Sequence, residues 1–112
     1  MENPETNTKT LSRLEELQKI FENVDEDKAT IIRPLLSNVV FIEQRLTVLR
    51  QLPHLRVHPK NPARQEITAA GKQYKEYLQQ YTNAIKVLQM TLSRYSVEEQ
   101  DAFDLWLQEQ NS

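Results

Sequence analysis

The chain has 112 residues, a formal net charge of −2 at pH 7, and 38% apolar and 27% charged residues, which is typical of one small globular domain. The absence of cysteine excludes disulfides, thiolate metal sites and cysteine nucleophiles, and the single glycine excludes a glycine-rich phosphate-binding loop. No stretch approaches the roughly 20 apolar residues of a membrane-spanning helix, and no secretion signal is recognisable, so we expect a cytoplasmic protein.

The N-terminal part of the chain changes from a polar segment to a helical pattern. Residues 1–9 are polar and aperiodic, which predicts a flexible tail ahead of a single helical domain over residues 10–112. A short helix over about residues 10–23 is indicated by Leu14, Leu17 and Phe21, which fall on one helical face. Asp25 then fits the N-cap of the next helix.

Two long apolar stripes dominate the middle of the chain. One helix is predicted over about residues 26–52 and another over about residues 62–94, each with an apolar residue at every third or fourth position. Pro53, Pro59 and Pro62 prevent a helix in the connection, so the two helices are expected to pack antiparallel. We therefore predict an all-α fold, a long antiparallel, coiled-coil-like helical hairpin flanked by short N- and C-terminal helices.

A last helix is predicted over about residues 97–110, because Ser96 and Glu99 have the spacing of a capping box. Phe103, Trp106 and Leu107 share one face of this helix, and acidic residues dominate the other. The apolar face either folds back onto the open end of the hairpin or forms a partner-binding element of Phe103, Trp106 and Leu107. The sequence leaves both possibilities open.

The charge is distributed unevenly along the chain. Residues 45–75 carry seven cations against one anion, Glu66, whereas residues 1–44 and residues 76–112 each have a net charge of −4. If the two long helices pair, the cations gather at the tip of a rod, which then attracts a polyanion or an acidic surface of a neighbour. We expect DNA contacts from five of them, namely Arg50, Arg56, Lys60, Arg64 and Lys72. The alternative is that these cations only solvate a loop.

Residue patterns that carry enzyme or metal chemistry are not recognisable. His54 and His58 are four residues apart, but Pro53 and Pro59 prevent the helix that would align them. Neither a Ser–His–acid pattern nor a carboxylate in an apolar setting is suggested. We therefore expect no enzyme, no metal site and no cofactor.

Several segments between residues 17 and 92 together resemble one protein family. They are residues 17–25, Ile32-Arg-Pro-Leu-Leu36, Phe41-Ile-Glu-Gln-Arg-Leu46, His58-Pro-Lys-Asn-Pro62, and Tyr74-Lys-Glu-Tyr77 with Tyr81. Together they resemble the P27-type terminase small subunits of phages and prophages of Gram-positive bacteria. The resemblance implies a non-enzymatic DNA-packaging component in the host bacterial cytoplasm. Such a component forms a homo-oligomer, in rings, binds DNA and regulates the terminase large subunit.

The chain departs from that family in two respects. No helix-turn-helix pattern is recognisable, so base-specific readout by a recognition helix is not expected. The usual C-terminal segment for the large subunit is not recognisable either, although Phe103, Trp106 and Leu107 are candidates for it. Two other function classes fit the sequence. One is a small helical protein–protein adaptor or regulator of phage or prophage origin with no nucleic-acid role. The other is a structural oligomer, such as a scaffold or connector, that does not bind DNA.

Overall fold

The computed structural model describes the backbone of residues 4–110 and the side chains of residues 10–109. Its elements follow in the order α1 (Pro4–Ile20), α2 (Glu26–Arg50), β1 (Leu55–His58), β2 (Asn61–Ile67), α3 (Ala69–Leu92) and α4 (Val97–Gln110). The molecule is a rod of 59 × 31 × 25 Å. None of the helices within residues 4–110 is long and apolar enough to cross a membrane.

The prediction of an all-α fold is wrong, because β1 and β2 form a two-stranded antiparallel sheet, here called the ribbon. Leu55 pairs with Ile67 and Arg56 with Glu66, and the register shifts after Val57. Pro62 lies inside β2 although it has no N–H to donate. It is tolerated because both strands of a two-stranded sheet are edge strands, whose outer side needs no ladder hydrogen bond.

The prediction of a single long helical hairpin flanked by short helices is also wrong. α2 does pack along α3, but α1 packs against α2 and α4, and α4 also packs against α3. One core joins residues of all four helices, with Leu17, Val39, Leu88 and Phe103 nearly or completely inaccessible to solvent. The reason is that α2 is apolar on more than one face, so α3 alone cannot cover it.

The predicted helix boundaries agree with the structure to different degrees. α4 covers residues 97–110 as predicted, and α2 begins at residue 26 as predicted and ends two residues early. Asp25 is the N-cap of α2, and the helix continues through Pro34. α3 begins seven residues later than predicted because the ribbon occupies residues 55–67, and α1 begins at Pro4 rather than near residue 10. Residues 1–3 of the predicted tail lie outside the described residues.

The two ends of the rod are built differently. At one end the α1–α2 and α3–α4 connections meet, where the backbone N–H of Asp25 donates to the Tyr95 hydroxyl at 3.1 Å. The ribbon forms the other end, beyond the last residue of α2 and the first residue of α3. α2 and α3, which are 25 and 24 residues long, separate the two ends.

Candidate nucleic-acid interface

The base of the ribbon is fixed to the first turn of α3. The Thr68 hydroxyl accepts a hydrogen bond from the Gly71 backbone N–H at 3.0 Å, which caps α3, and it donates to the Pro53 carbonyl at 2.6 Å. The Thr68 backbone N–H donates to the His54 carbonyl at 3.0 Å. One residue therefore joins the end of β2, the segment before β1 and the start of α3.

Gly71 allows this base to lie against the helix. A Cβ at position 71 would lie 2.5 Å from the His54 carbonyl oxygen and 2.9 Å from the Ile67 side chain. The His54 ring also packs on Tyr74 with a centroid separation of 4.7 Å, and its Nε2 lies 3.0 Å from the Leu49 carbonyl oxygen. The ribbon therefore has a defined direction relative to α2 and α3.

The ribbon has an apolar face and a charged face, because successive side chains of a strand point to opposite sides. Leu55, Val57 and Ile67 lie on the apolar face and are 55%, 49% and 46% exposed. Ile67, at the base of this face, lies next to Gly71 in the first turn of α3. The opposite face carries Arg56, Arg64 and Glu66, which are all exposed.

An arginine–carboxylate–arginine group occupies the charged face. Arg56 Nη2 lies 3.1 Å from Oε2 of Glu66, its cross-strand partner, and Arg64 Nη2 lies 3.6 Å from Oε1 of the same carboxylate. These side chains are 77%, 50% and 64% exposed in the order Arg56, Glu66, Arg64, so the ion pairs contribute little stability. Their effect is to hold two guanidinium groups side by side on one surface.

The five residues expected to contact DNA all lie near the ribbon, and all are exposed. Arg50 ends α2, Arg56 is in β1, Lys60 is in the turn between the strands, Arg64 is in β2, and Lys72 is in the first turn of α3. Of these, Arg56 and Arg64 are brought together through Glu66. We call this group of five cations the basic end.

The residues considered for partner binding lie in a different environment. Phe103 is 1% exposed and Trp106 is 2% exposed, and Phe103 packs edge-on against Phe21 with a centroid separation of 5.6 Å. Leu107 is partly buried against the same core. Of the two possibilities left open by the sequence, the structure therefore has this face folded onto its own chain.

A buried polar network joins the four helices, and sequence reasoning missed it. Arg13 of α1 donates to both carboxylate oxygens of Glu43 in α2, at 2.7 and 3.2 Å. The Tyr81 hydroxyl of α3 donates to the same carboxylate at 2.7 Å, and Arg13 Nη1 donates to the Trp106 carbonyl of α4 at 2.6 Å. The Trp106 indole N–H donates back to the Arg13 carbonyl at 3.0 Å.

The pKa of Tyr81 is raised well above its ordinary value, first because the hydroxyl is desolvated by burial and then because it faces the Glu43 carboxylate. Arg13 opposes this shift without cancelling it. Tyr81 is consequently a neutral hydrogen-bond donor at physiological pH. The sequence did contain a signal for this network. Arg13 lies four residues before Leu17, and Glu43 lies three residues before Leu46, so each charged residue falls on the same helix face as a buried leucine.

Metal-ligating side chains do not cluster in the described part of the chain, where no group of three or more His, Cys, Asp or Glu residues could hold an ion. His54 and His58 are engaged locally. His54 contacts Leu49 and Tyr74 as described above, and His58 Nδ1 accepts a hydrogen bond from the Lys60 backbone N–H at 3.2 Å.

Comparisons with protein-family models, with curated proteins and with solved structures find no match to this chain.

Proposed function

We propose that this chain is a non-enzymatic protein that binds duplex DNA through its basic end, and that it acts in phage DNA packaging as a terminase small subunit-like component. The observation that carries the DNA-binding part is the group of five exposed cations on and beside the ribbon. The packaging part is supported by the resemblance of segments between residues 17 and 92.

The charge distribution favours DNA contact at the ribbon end of the rod rather than along its side. The segment from residue 45 to residue 75 has a net charge of +6, and the flanking parts of the chain are both negative. Asp101 and Asp104 are exposed on α4, which packs against the other helices away from the ribbon. A duplex is therefore attracted to the ribbon and repelled from the helical body.

The number of cations sets the expected salt dependence. Each phosphate neutralised by lysine or arginine releases condensed counterions, so the logarithm of the binding constant falls by about 0.9 per contact for each tenfold rise in salt. Five phosphate contacts correspond to a slope on the order of 4 to 5, and three phosphate contacts to a slope of about 3. Binding of this kind is tight in dilute salt and weak at high salt, and it needs no defined DNA sequence.

The burial and hydrogen bonding of Glu43 support the proposal that the protein is not an enzyme. It is the buried carboxylate among the side chains of residues 10–109, and both of its oxygens already accept hydrogen bonds from Arg13 or Tyr81. A carboxylate held in this way is not available as a general acid or base for a substrate. The other carboxylates in this part of the chain are exposed or partly exposed.

Self-association and contact with a terminase large subunit belong to the same proposal. Ile31, Phe41 and Val48 on α2 are apolar and are 73%, 50% and 50% exposed, which leaves apolar surface for a second copy or a partner to cover. The mass in solution tests self-association, because a homo-oligomer has a multiple of the 13.2 kDa chain mass.

A protein–protein adaptor with no nucleic-acid role is the second candidate, and the half-exposed Leu55, Val57 and Ile67 favour it. A mobility-shift experiment with a duplex at low and high salt separates the two candidates. The DNA-binding proposal predicts a shift at low salt that is lost at high salt. The adaptor predicts no shift at either salt concentration.

A further inference from the structure

Glu66 is unexpected on a surface that only contacts phosphates. It is the one anion among residues 45–75, and it lies between Arg56 and Arg64 on the outward face of the ribbon. A carboxylate there repels phosphate oxygens and lowers the effective charge of both arginines. Simple phosphate contact gives this residue no role, whereas a ligand with both hydrogen-bond acceptors and a hydrogen-bond donor can use a carboxylate between two guanidinium groups.

Base edges in the major groove of DNA are such a ligand. Guanine presents the acceptors O6 and N7, which an arginine binds with two parallel hydrogen bonds, and cytosine presents the N4 amino donor, which a carboxylate accepts. The charged face offers hydrogen-bond donors from Arg56, an acceptor from Glu66 and further donors from Arg64, in neighbouring positions. This order matches consecutive G·C pairs.

The dimensions of the ribbon also fit the major groove. That groove is about 12 Å wide and admits a two-stranded ribbon, whereas the minor groove, at about 6 Å, does not. β1 has four residues and β2 has seven, and every residue of the ribbon except His58 is exposed. At about 3.4 Å per residue, the four-residue strand spans roughly the length of four base pairs.

The orientation of the ribbon leaves the required face free. Ile67 at the base of the apolar face lies close to Gly71, and Arg56, Arg64 and Glu66 on the opposite face are all exposed. Arg50 and Lys72 flank the base of the ribbon on the adjoining helix ends, and Lys60 lies in the turn at its tip. Cations on both sides of the charged face are in position to meet the phosphates that border a groove.

We infer that the ribbon enters the major groove of duplex DNA with its Arg56–Glu66–Arg64 face toward the base edges, and that it favours G·C pairs over A·T pairs. This inference rests on the proposed DNA-binding function. Glu66 has two roles in it, as it holds the two guanidinium groups in position before binding and accepts from cytosine N4 in the complex. Arg50, Lys60 and Lys72 contact phosphates.

The test compares two G·C-rich duplexes of one sequence, in one of which every guanine is replaced by 7-deazaguanine. The replacement removes the N7 acceptor from the major groove and leaves base pairing and phosphate charge unchanged. Binding of the full chain is measured by fluorescence anisotropy at one salt concentration. We expect the 7-deazaguanine duplex to bind at least about fivefold more weakly, because both arginines lose the hydrogen bond to N7 and keep only the one to O6.

Two variants separate base contact from phosphate contact. The double variant Arg56→Ala, Arg64→Ala removes both guanidinium groups, so it is expected to lose the difference between the duplexes. The remaining phosphate contacts keep its weaker binding salt-dependent. The control Lys60→Ala is expected to weaken binding to both duplexes by the same factor. All three positions are exposed, and circular dichroism melting checks that the fold is retained.

The outcomes distinguish this inference from the function on which it rests. Equal affinity of the wild-type chain for the two duplexes, with binding still salt-dependent, overturns the major-groove inference and leaves the DNA-binding proposal standing. A double alanine variant that discriminates as well as the wild type also overturns the inference. Binding to neither duplex overturns both.

Discussion

Arg13 and Glu43 lie thirty residues apart in the sequence and form a two-point ion pair in the core, with Nη2–Oε2 and Nε–Oε1 distances of 2.7 and 3.2 Å. The Trp106 indole covers the guanidinium group, whose Cζ lies 3.7 Å from the ring centroid. A buried ion pair loses about as much in desolvation as it gains in attraction, so its main effect here is to specify which faces of the helices meet.

Removing one partner of this buried ion pair is expected to lower the free energy of unfolding by a large amount. Arg13→Ala leaves the Glu43 carboxylate buried without its cation, and we predict that the free energy of unfolding falls by about 3 to 5 kcal/mol. Arg33→Ala is the matched control, because Arg33 pairs with Glu26 at the surface and its loss is expected to cost less than about 1 kcal/mol. Denaturant titration of both variants checks the prediction, and equal losses would contradict it.

Tyr81 gives the fold a predictable pH dependence. Burial and the neighbouring Glu43 carboxylate raise the pKa of Tyr81 above its ordinary value of 10.0, so the folded state holds the phenol proton more tightly than the unfolded state does. This contribution to stability is complete below about pH 10 and decreases as the pH rises further. We predict that the free energy of unfolding falls above pH 10, and that it falls less steeply in Tyr81→Phe.

The same variant has a second effect at neutral pH. It removes one hydrogen bond to a charged group, which is expected to lower the free energy of unfolding by about 1.5 kcal/mol. Tyr77→Phe is the control, since Tyr77 packs against Phe41 outside the buried network. Denaturation curves of the wild type and both variants, measured at neutral pH and at several pH values above 10, test the pair of predictions. Identical slopes for wild type and Tyr81→Phe would show that Tyr81 does not carry the alkaline dependence.

Gly71 is predicted to be intolerant of alanine, although glycine to alanine inside a helix ordinarily stabilises by about 1 kcal/mol. The added Cβ would lie 2.5 Å from the backbone carbonyl oxygen of His54, so the base of the ribbon must shift. We expect a net loss of about 1 to 3 kcal/mol, together with faster amide hydrogen exchange at Thr68, whose N–H donates to that carbonyl. Ala69→Gly in the same helical turn is the control, because it should cost only the helix propensity. A stabilised Gly71→Ala variant would contradict the close contact.

The long helices could be predicted because their periodicity is local information. α2 and α4 begin where the sequence indicates, and Val39, Leu46 and Leu88 from the apolar stripes of the two long helices are buried. What periodicity cannot supply is which of several apolar faces meets which helix. Ile42 and Val40 lie on different sides of α2, and both are buried, because α1 and α3 both pack against it.

The ribbon could not be predicted for a different reason. Pro53, Pro59 and Pro62 correctly indicated that no helix connects α2 and α3, but a proline within a run also argues against a strand. The alternation of Leu55, Arg56 and Val57 is too short to identify a strand alone. Pairing of residues 55–58 with residues 61–67 depends on the anchoring of the base, which is a tertiary effect.

The candidate interface was predictable in its charge but not in its geometry. The five cations expected to contact DNA are exposed and lie around the ribbon, because residues that are close in the sequence stay close on a short connection. The pairing of Arg56 and Arg64 with Glu66 follows only from the strand register, which composition does not contain. The buried Arg13–Glu43 pair joins two residues that are thirty positions apart, on different helices, so local sequence does not reveal it.

Charge reversal tests the DNA-binding claim most directly. The triple variant Arg56→Glu, Lys60→Glu, Arg64→Glu is compared with Lys19→Glu, Arg33→Glu, Arg94→Glu, which makes the same change in net charge at exposed positions away from the ribbon. Duplex affinity is measured by anisotropy across a range of salt concentrations. We predict that the ribbon variant loses most of its binding at low salt and that any remaining binding has a smaller salt slope. The control is expected to keep most of the wild-type affinity and its slope. Equal loss in the two variants, or unchanged binding by the ribbon variant, would contradict the claim that DNA is bound at the basic end.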